Sequence, residues 1–337
     1  MAPGSAIAGS RILGLGTYVP ERVVTNDDLA AILDTSDEWI RKRTGISERR
    51  WVEGDVGPAE LAEHAARQAV ERAGLQMSDI QLILFATLSP DLFFPGSACL
   101  LQNRLGLNGC AAMDIRNQCT GFLYGLATAD AFIRAGLFQH VLVVGSEVHS
   151  SGLDMSDRGR DVTVIFGDGA GAAVVGPSQD ADHRILGHSL HADGSLVDIL
   201  KLVAPASSMN PRLTPEMMEQ GLHFPYMEGR AVFKQAVQLL PGVINGILDQ
   251  HGLDLDQLDL LVPHQANLRI NEMVARSLRL DPDKVVNNIQ RLGNTTAASI
   301  PIALNEAVEG GRVKSGDLVC LAGLGAGMTW GASLIRW

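Results

Sequence analysis

The chain is short of aromatic residues (5%), of cysteine (four in 337 residues) and of positive charge (27 Lys and Arg against 38 Asp and Glu). Its cysteines, Cys99, Cys110, Cys119 and Cys320, form no CxxC pair and no short Cys/His cluster. That spacing argues against a disulfide framework and a structural zinc site, so no metal is expected. A formal net charge of −11 excludes nonspecific nucleic-acid binding through a general positive field, and any anionic partner must meet a local basic patch. No uninterrupted apolar run approaches the roughly 18 to 20 residues of a bilayer span, so no membrane partner is expected. The opening MAPGSAIAGSR has neither a basic start nor a sustained apolar h-region, which predicts no signal peptide and a cytoplasmic location.

Apolar residues are abundant (46%) and charged ones moderate (19%), and at about 150 residues per domain the length fits two domains or one duplicated fold. Strand-like runs alternate with helical patterns, the signature of an α/β protein. IQLILFATLSP (80–90) reads as a strand buried on both faces, FFPGSACLLQNRLGL (93–107) as a Pro-started helix, and TGFLYGLATADAFIRAGL (120–137) as a nearly all-apolar helix of the interior. The second half repeats the order of the first. RILGHSLHADG echoes RILGLGTYVP, LDLDQLDLLVPHQANL echoes LQMSDIQLILFATLSPDL, DLVCLAGLGAG echoes HVLVVGSEV, and WGASLIRW echoes GAGAAVVG. Two similar halves are therefore expected, residues 1–180 carrying Cys119 and residues 181–337 carrying His264 and Asn294. The segment 201–228, rich in Pro, Ser and Met, reads as a loop excursion that could line or cover a site.

Cys119 lies in DIRNQCTGFLYGL, directly after a strand and at the start of the apolar helix. Helix N-terminal amides favour negative charge, so this position is expected to lower the thiol pKa and make Cys119 the nucleophile. His264 in LLVPHQANLRI ends a buried strand, and Asn294 in RLGNTTAAS sits between a glycine and a threonine pair. Thiolate, imidazole and carboxamide together can serve acyl chemistry, with the two nitrogen donors converging on one developing oxyanion.

These residues belong to a larger set: TSDEWIRKRTGI (35–46), the Cys119 turn, SDRGR (156–160), FGDGAGAAVV (166–175), VPHQANLRI (262–270), GNTTAASIP (293–301) and GAGMTWGASL (325–334). In that order the motifs resemble the β-ketoacyl-[acyl-carrier-protein] synthases III of the thiolase superfamily. The resemblance implies a thiolase-like five-layer αβαβα fold of two duplicated halves, a homodimer, and no cofactor beyond acyl-CoA as substrate. It implies that Cys119 accepts the acyl group with the backbone amides of Cys119 and Ala326 as oxyanion donors. Malonyl-acyl carrier protein then enters and loses CO2, while His264 and Asn294 hold the enolate that attacks the acyl-cysteine. It further implies that Trp39, Arg43 and Arg158 hold CoA and that Asn267 contacts pantetheine. Phe94 would reach the partner's acyl pocket, and Lys234, Arg269 and Arg276 would dock the acidic carrier protein.

Three features depart from the family pattern. Asn117 and Gln118 stand before the cysteine where a small residue is common, and with ATLSPD (86–91) they resemble the quinolone-signal synthases that load an anthraniloyl group. Arg230 replaces an asparagine near the pantetheine arm, and the 201–228 excursion is longer than in compact members. The leading expectation is the condensation that initiates fatty acid synthesis. Its rivals are a specialised synthase for an unusual acyl group, an acyltransferase without decarboxylation, and an acyl-CoA-binding sensor.

Overall fold

The computed structural model describes residues 9–337; the N-terminal stretch read for a signal peptide begins in residues 1–8, outside the described residues. Strands β1 (Gly9–Tyr18), β2 (Leu82–Ala86), β3 (Ala111–Ile115), β4 (Val141–Glu147) and β5 (Gly169–Ser178) form one sheet in the order β1-β5-β4-β2-β3. Strands β6 (Arg184–Ala192), β7 (Leu260–Pro263), β8 (Leu318–Gly325) and β9 (Thr329–Arg336) form the other in the order β6-β9-β8-β7. The second order copies four strands of the first, down to the directions: the first two pairings in each are antiparallel and the third is parallel. The strands that match are the ones whose sequences echo each other.

Helices fill three layers around the two sheets. Helices α1 (Pro58–Arg72) and α2 (Ser97–Arg104) cover the outer face of the first sheet. Helices α3 (Gly121–Arg134) and α6 (Ser299–Glu309) lie between the sheets, and α4 (Gly229–Gln250) and α5 (Leu268–Leu278) cover the second sheet. Strand β2 shows why an uninterrupted apolar run is needed: Leu82 and Leu84 face the central layer, while Ile83 and Phe85 face α1 and α2. Phe122, Leu123 and Leu126 of α3 are fully buried between the sheets, each worth about 1.5–3 kcal/mol of transfer free energy. Helix α1 lies against β1 because Gly16 has no side chain; a Cβ there would sit 2.1 Å from the Ala65 carbonyl oxygen.

Three local expectations change. The helix expected over 93–107 starts at Ser97, because the Asp114 carboxylate on β3 accepts the Ser97 and Ala98 amides at 2.8 Å each and fixes the first turn there. Phe93 and Phe94 are left exposed. The 201–228 excursion is more ordered than a loop: Leu200–Lys201 pairs antiparallel with Tyr226–Met227, and Pro215–Glu219 is a short helix capped by Thr214. Finally, α4 is long and apolar enough by length and composition to cross a membrane, which run length alone does not register. Its apolar stripe, including Leu240, Ile244 and Ile247, is packed against the second sheet.

Candidate active site

Cys119 sits in a single tight turn, Gln118–Thr120, that leads into α3. Gln118 is held at φ +45°, a left-handed conformation that costs about 1–3 kcal/mol for such a residue and marks an over-determined position. The Thr120 hydroxyl bonds the Asn117 carbonyl at 2.9 Å and the Thr329 hydroxyl at 2.8 Å, pinning the turn to β9. Gly325, at the end of β8, lets that strand touch the nucleophile; a Cβ there would lie 2.8 Å from the Cys119 Cβ.

His264 follows β7, and its amide donates to Ala322 on β8 at 2.7 Å. Its Nδ1 lies 2.5 Å from the Ser299 hydroxyl at the start of α6, while Nε2 is buried without a partner. Asn294 is stapled to the opposite segment by its amide on Ile165 (2.9 Å) and by the Gly167 amide on its carbonyl (3.1 Å). Its Oδ1 accepts the Thr296 amide at 2.8 Å, which leaves the Nδ2 donor for the cavity. Cys119, His264 and Asn294 line one cavity of about 460 Å³, together with Gly325, Ala326 and Gly327. The excursion lines it too, through Lys201, Leu202, Pro205, Pro225 and Met227.

The electrostatics correct one expectation. Burial, with the Glu147 carboxylate next, pushes the Cys119 thiol up to about 12. The Cys119 amide, the Thr296 side chain and the Ala326 amide act the other way, and they do not outweigh desolvation. The helix N-terminus therefore does not leave a resting thiolate, and the charge must form as a substrate is attacked. Burial also holds His264 neutral, its pKa near 3.

Four residues escape a local reading of the sequence. Glu147 at the end of β4 is fully buried and raised to about 7 by burial, against bonds from the Ser89 and Thr87 hydroxyls and the Leu88 and Ser89 amides. His149, Thr296 and Ser299 complete the surroundings of the sulfur and of His264. Thr296 and Ser299 lie inside the GNTTAASIP stretch, the only signal available; a lone His after GSEV carries none.

The expected binding residues separate. Trp39 and Arg43 stack, with the guanidinium 4.1 Å from the ring centroid, and Arg160 approaches the same ring at 5.0 Å. Arg158 is held by Asp154 at 2.6 Å and by the Glu219 carbonyl at 2.9 Å, so it clamps the excursion. None of these four lines the cavity, whereas Asn267 does. Asn267 uses Nδ2 on the Arg43 carbonyl (3.0 Å) and Oδ1 on the Arg269 amide (2.9 Å), bracing the start of α5. Lys234, Arg269 and Arg276 are exposed on the packed pair α4 and α5, as is Arg230 at the start of α4. Phe94 is 81% exposed and lies away from this chain's own cavity. Cys99 is exposed, Cys110 half-buried and Cys320 buried in the outer core. Among the described residues no group of three His, Cys, Asp or Glu side chains could hold a metal ion.

A buried thiol, two nitrogen donors and two backbone amides around one cavity can pass an acyl group to sulfur and hold a developing oxyanion. Comparison with known proteins points the same way. Residues 113–194 match the model for 3-oxoacyl-[acyl-carrier-protein (ACP)] synthase III, and residues 248–337 the model for its C-terminal part. The chain is 47% identical over 328 residues to the beta-ketoacyl-[acyl-carrier-protein] synthase III of Xanthomonas campestris, covering 97% of this chain and 98% of the other. It is 44% identical to that of Caldanaerobacter subterraneus over 326 residues, covering 97% of each. The crystal structure of the Aquifex aeolicus 3-oxoacyl-[acyl-carrier-protein] synthase III is 42% identical, with a TM-score of 0.89 over 98% of this chain and all of the other.

Proposed function

Because the chain belongs to the 3-oxoacyl-[acyl-carrier-protein] synthase III family, we propose that Cys119 takes the acyl primer and that His264 and Asn294 drive its condensation with malonyl-acyl carrier protein. The enzyme is an acyl-transferring condensing enzyme of fatty acid synthesis. In the first half-reaction the Cys119 sulfur attacks the thioester carbonyl of acyl-CoA, CoA leaves as the thiol, and the Cys119 and Ala326 amides hold the tetrahedral oxyanion. In the second, malonyl-acyl carrier protein loses CO2 and the enolate oxygen receives hydrogen bonds from His264 Nε2 and Asn294 Nδ2. Its carbon then attacks the acyl-cysteine, giving the β-ketoacyl product and expelling the Cys119 thiolate, which takes a proton from solvent to restore the thiol.

The observation that carries this reading is the unpartnered, buried Nε2 of His264 in the same cavity as the Cys119 sulfur. A neutral imidazole suits a donor that must not neutralise the enolate by giving up its proton. Two nitrogen donors and two amides supply the charge stabilisation, so the scheme calls for no metal or redox cofactor.

CoA enters in our reading past the Trp39–Arg43 stack, which Asn267 ties to the cavity wall. The exposed cations Lys234, Arg269 and Arg276 face the acidic carrier protein. Among the described residues β3 has one strand neighbour, and in our reading it offers its other edge, with the exposed Phe94, to a second copy of the chain. We place the enzyme in the cytoplasm.

Intact-protein mass spectrometry tests the scheme: the enzyme is incubated with acetyl-, branched, octanoyl- and anthraniloyl-CoA, then given malonyl-acyl carrier protein. A short or medium acyl adduct on Cys119, discharged as β-ketoacyl carrier protein, is expected. An adduct with anthraniloyl-CoA alone would move the enzyme to secondary metabolism, and no adduct with any donor would overturn the scheme.

A further inference from the structure

A second histidine stands behind the nucleophile, outside the Cys119, His264 and Asn294 set. His149 is buried, lines the same cavity, and puts Nε2 2.8 Å from the Thr296 hydroxyl. Thr296 lines the cavity beside Cys119, whose turn Gln118–Thr120 packs against Thr296–Ala298, and its side chain acts to lower the thiol pKa. Both relay residues are fixed beyond what packing alone requires. The His149 amide donates to the buried Asp168 carboxylate at 2.7 Å, and its ring lies 4.5 Å from that of Phe166. Thr296 is held at φ +47°, which β-branched residues rarely adopt, by the bond from its amide to Asn294 Oδ1.

We propose that His149 is a positioning residue for the nucleophile: its Nε2–H donates to the Thr296 oxygen and so directs the Thr296 hydrogen to the Cys119 sulfur as the thiolate forms. A hydroxyl has one hydrogen to give, and a bond to a developing anion is roughly twice as strong as one to a neutral acceptor. When sulfur gains charge the hydrogen turns to it, and the nitrogen on the other side must be the donor. Burial keeps the imidazole neutral, with its pKa near 3, so it is no source of a proton. The relay gains and loses no proton: the sulfur–acyl bond forms, the acyl–CoA sulfur bond breaks, and the thiol hydrogen ends on the departing CoA. The ionisable groups that share the cavity with Cys119 are Arg116, His149, Lys201 and His264, and Glu147 acts on the thiol as well; Asp168 touches only the His149 backbone in this set.

This inference rests on Cys119 as the acyl acceptor proposed above, and the test separates the two. Acyl loading by acetyl- and octanoyl-CoA, and iodoacetamide alkylation of Cys119 as a function of pH, are measured for the parent, His149→Leu, His149→Gln, Thr296→Val and the His149→Leu/Thr296→Val double variant, each with a melting curve. His149→Leu should slow loading about tenfold and move the alkylation profile up by about one pH unit. It should slow loading more than the later condensation, whose donors are His264 and Asn294. His149→Gln, which keeps an amide donor, should recover most of the loss, and the double variant should be no worse than Thr296→Val alone. A folded His149→Leu enzyme with parental loading and an unmoved alkylation profile would overturn the inference, as would additive losses in the double variant. If His149→Leu does not fold, the comparison of Thr296→Val with His149→Gln decides: loss in the first and retention in the second support the relay, and parental behaviour of the first overturns it. Failure of the parent to load any acyl group would instead overturn the proposed function, with the alkylation profiles still reporting on the relay.

Discussion

The Ser299 hydroxyl stands 2.5 Å from Nδ1 of His264 while its oxygen accepts the Gln265 amide at 3.3 Å. Its single hydrogen can be given to Nδ1, and in that arrangement the ring proton of the neutral imidazole lies on Nε2, facing the cavity. Ser299→Ala removes that selection. Decarboxylation of malonyl-acyl carrier protein by the acyl-loaded variant should slow about tenfold or more, since a buried ring nitrogen is left without its partner, while acyl loading persists. Single-turnover measurement of CO2 release checks this.

Cys119 and His264 should fail at different steps. Cys119→Ser should abolish acyl loading in the mass spectrum. His264→Ala should load and then stall, because removing one oxyanion donor costs about 3–4 kcal/mol of transition-state stabilisation. Condensation by His264→Ala at the parent rate would make the role assignment wrong.

Glu147 opposes ionisation of the thiol and carries its own pH signature. Its folded pKa of about 7 lies above the ordinary 4.5, so the native state keeps a proton that the unfolded chain has lost. The stability this lends is full below pH 4.5 and is lost as pH rises through 7, amounting to a few kcal/mol. Glu147→Gln should flatten urea-unfolding stability across that interval. It should also move Cys119 alkylation to lower pH, since a negative charge beside the sulfur is gone.

The two buried histidines predict the opposite trend in acid. His149 and His264 are held near 3 by burial, so they stay neutral in the fold while the unfolded chain takes up protons below about 6.5. Their contribution to stability is present above 6.5 and is lost as pH falls toward 3. The midpoint of urea unfolding should drop over that range, and His149→Gln should remove about one proton from the slope.

Gly325→Ala tests the close approach of β8 to the nucleophile. The new Cβ would lie 2.8 Å from the Cys119 Cβ and 3.0 Å from its amide nitrogen, inside normal contact. Loading should fall by more than tenfold, and the melting temperature should drop with it, at a cost of about 1–3 kcal/mol.

By itself the sequence determined the α/β class, the repeat that becomes two matching sheets, and the Cys119, His264 and Asn294 candidates. Each of those is written in local pattern: an all-apolar run must be a strand or helix buried on every side, and a polar turn between strand and helix exposes its residue at the end of a sheet. Tertiary structure decided what depends on groups far apart in the chain. Cys119 is a neutral thiol because β8, β4 and the Asn294–Ser299 segment enclose it and desolvation outweighs the helix terminus. Arg158 is taken up by Asp154 and by a carbonyl 61 residues away, so a matching motif position does not leave a free cation. His149, Glu147 and Ser299 matter through hydrogen bonds spanning 147, 58 to 60 and 35 residues, a separation no local spacing rule reaches.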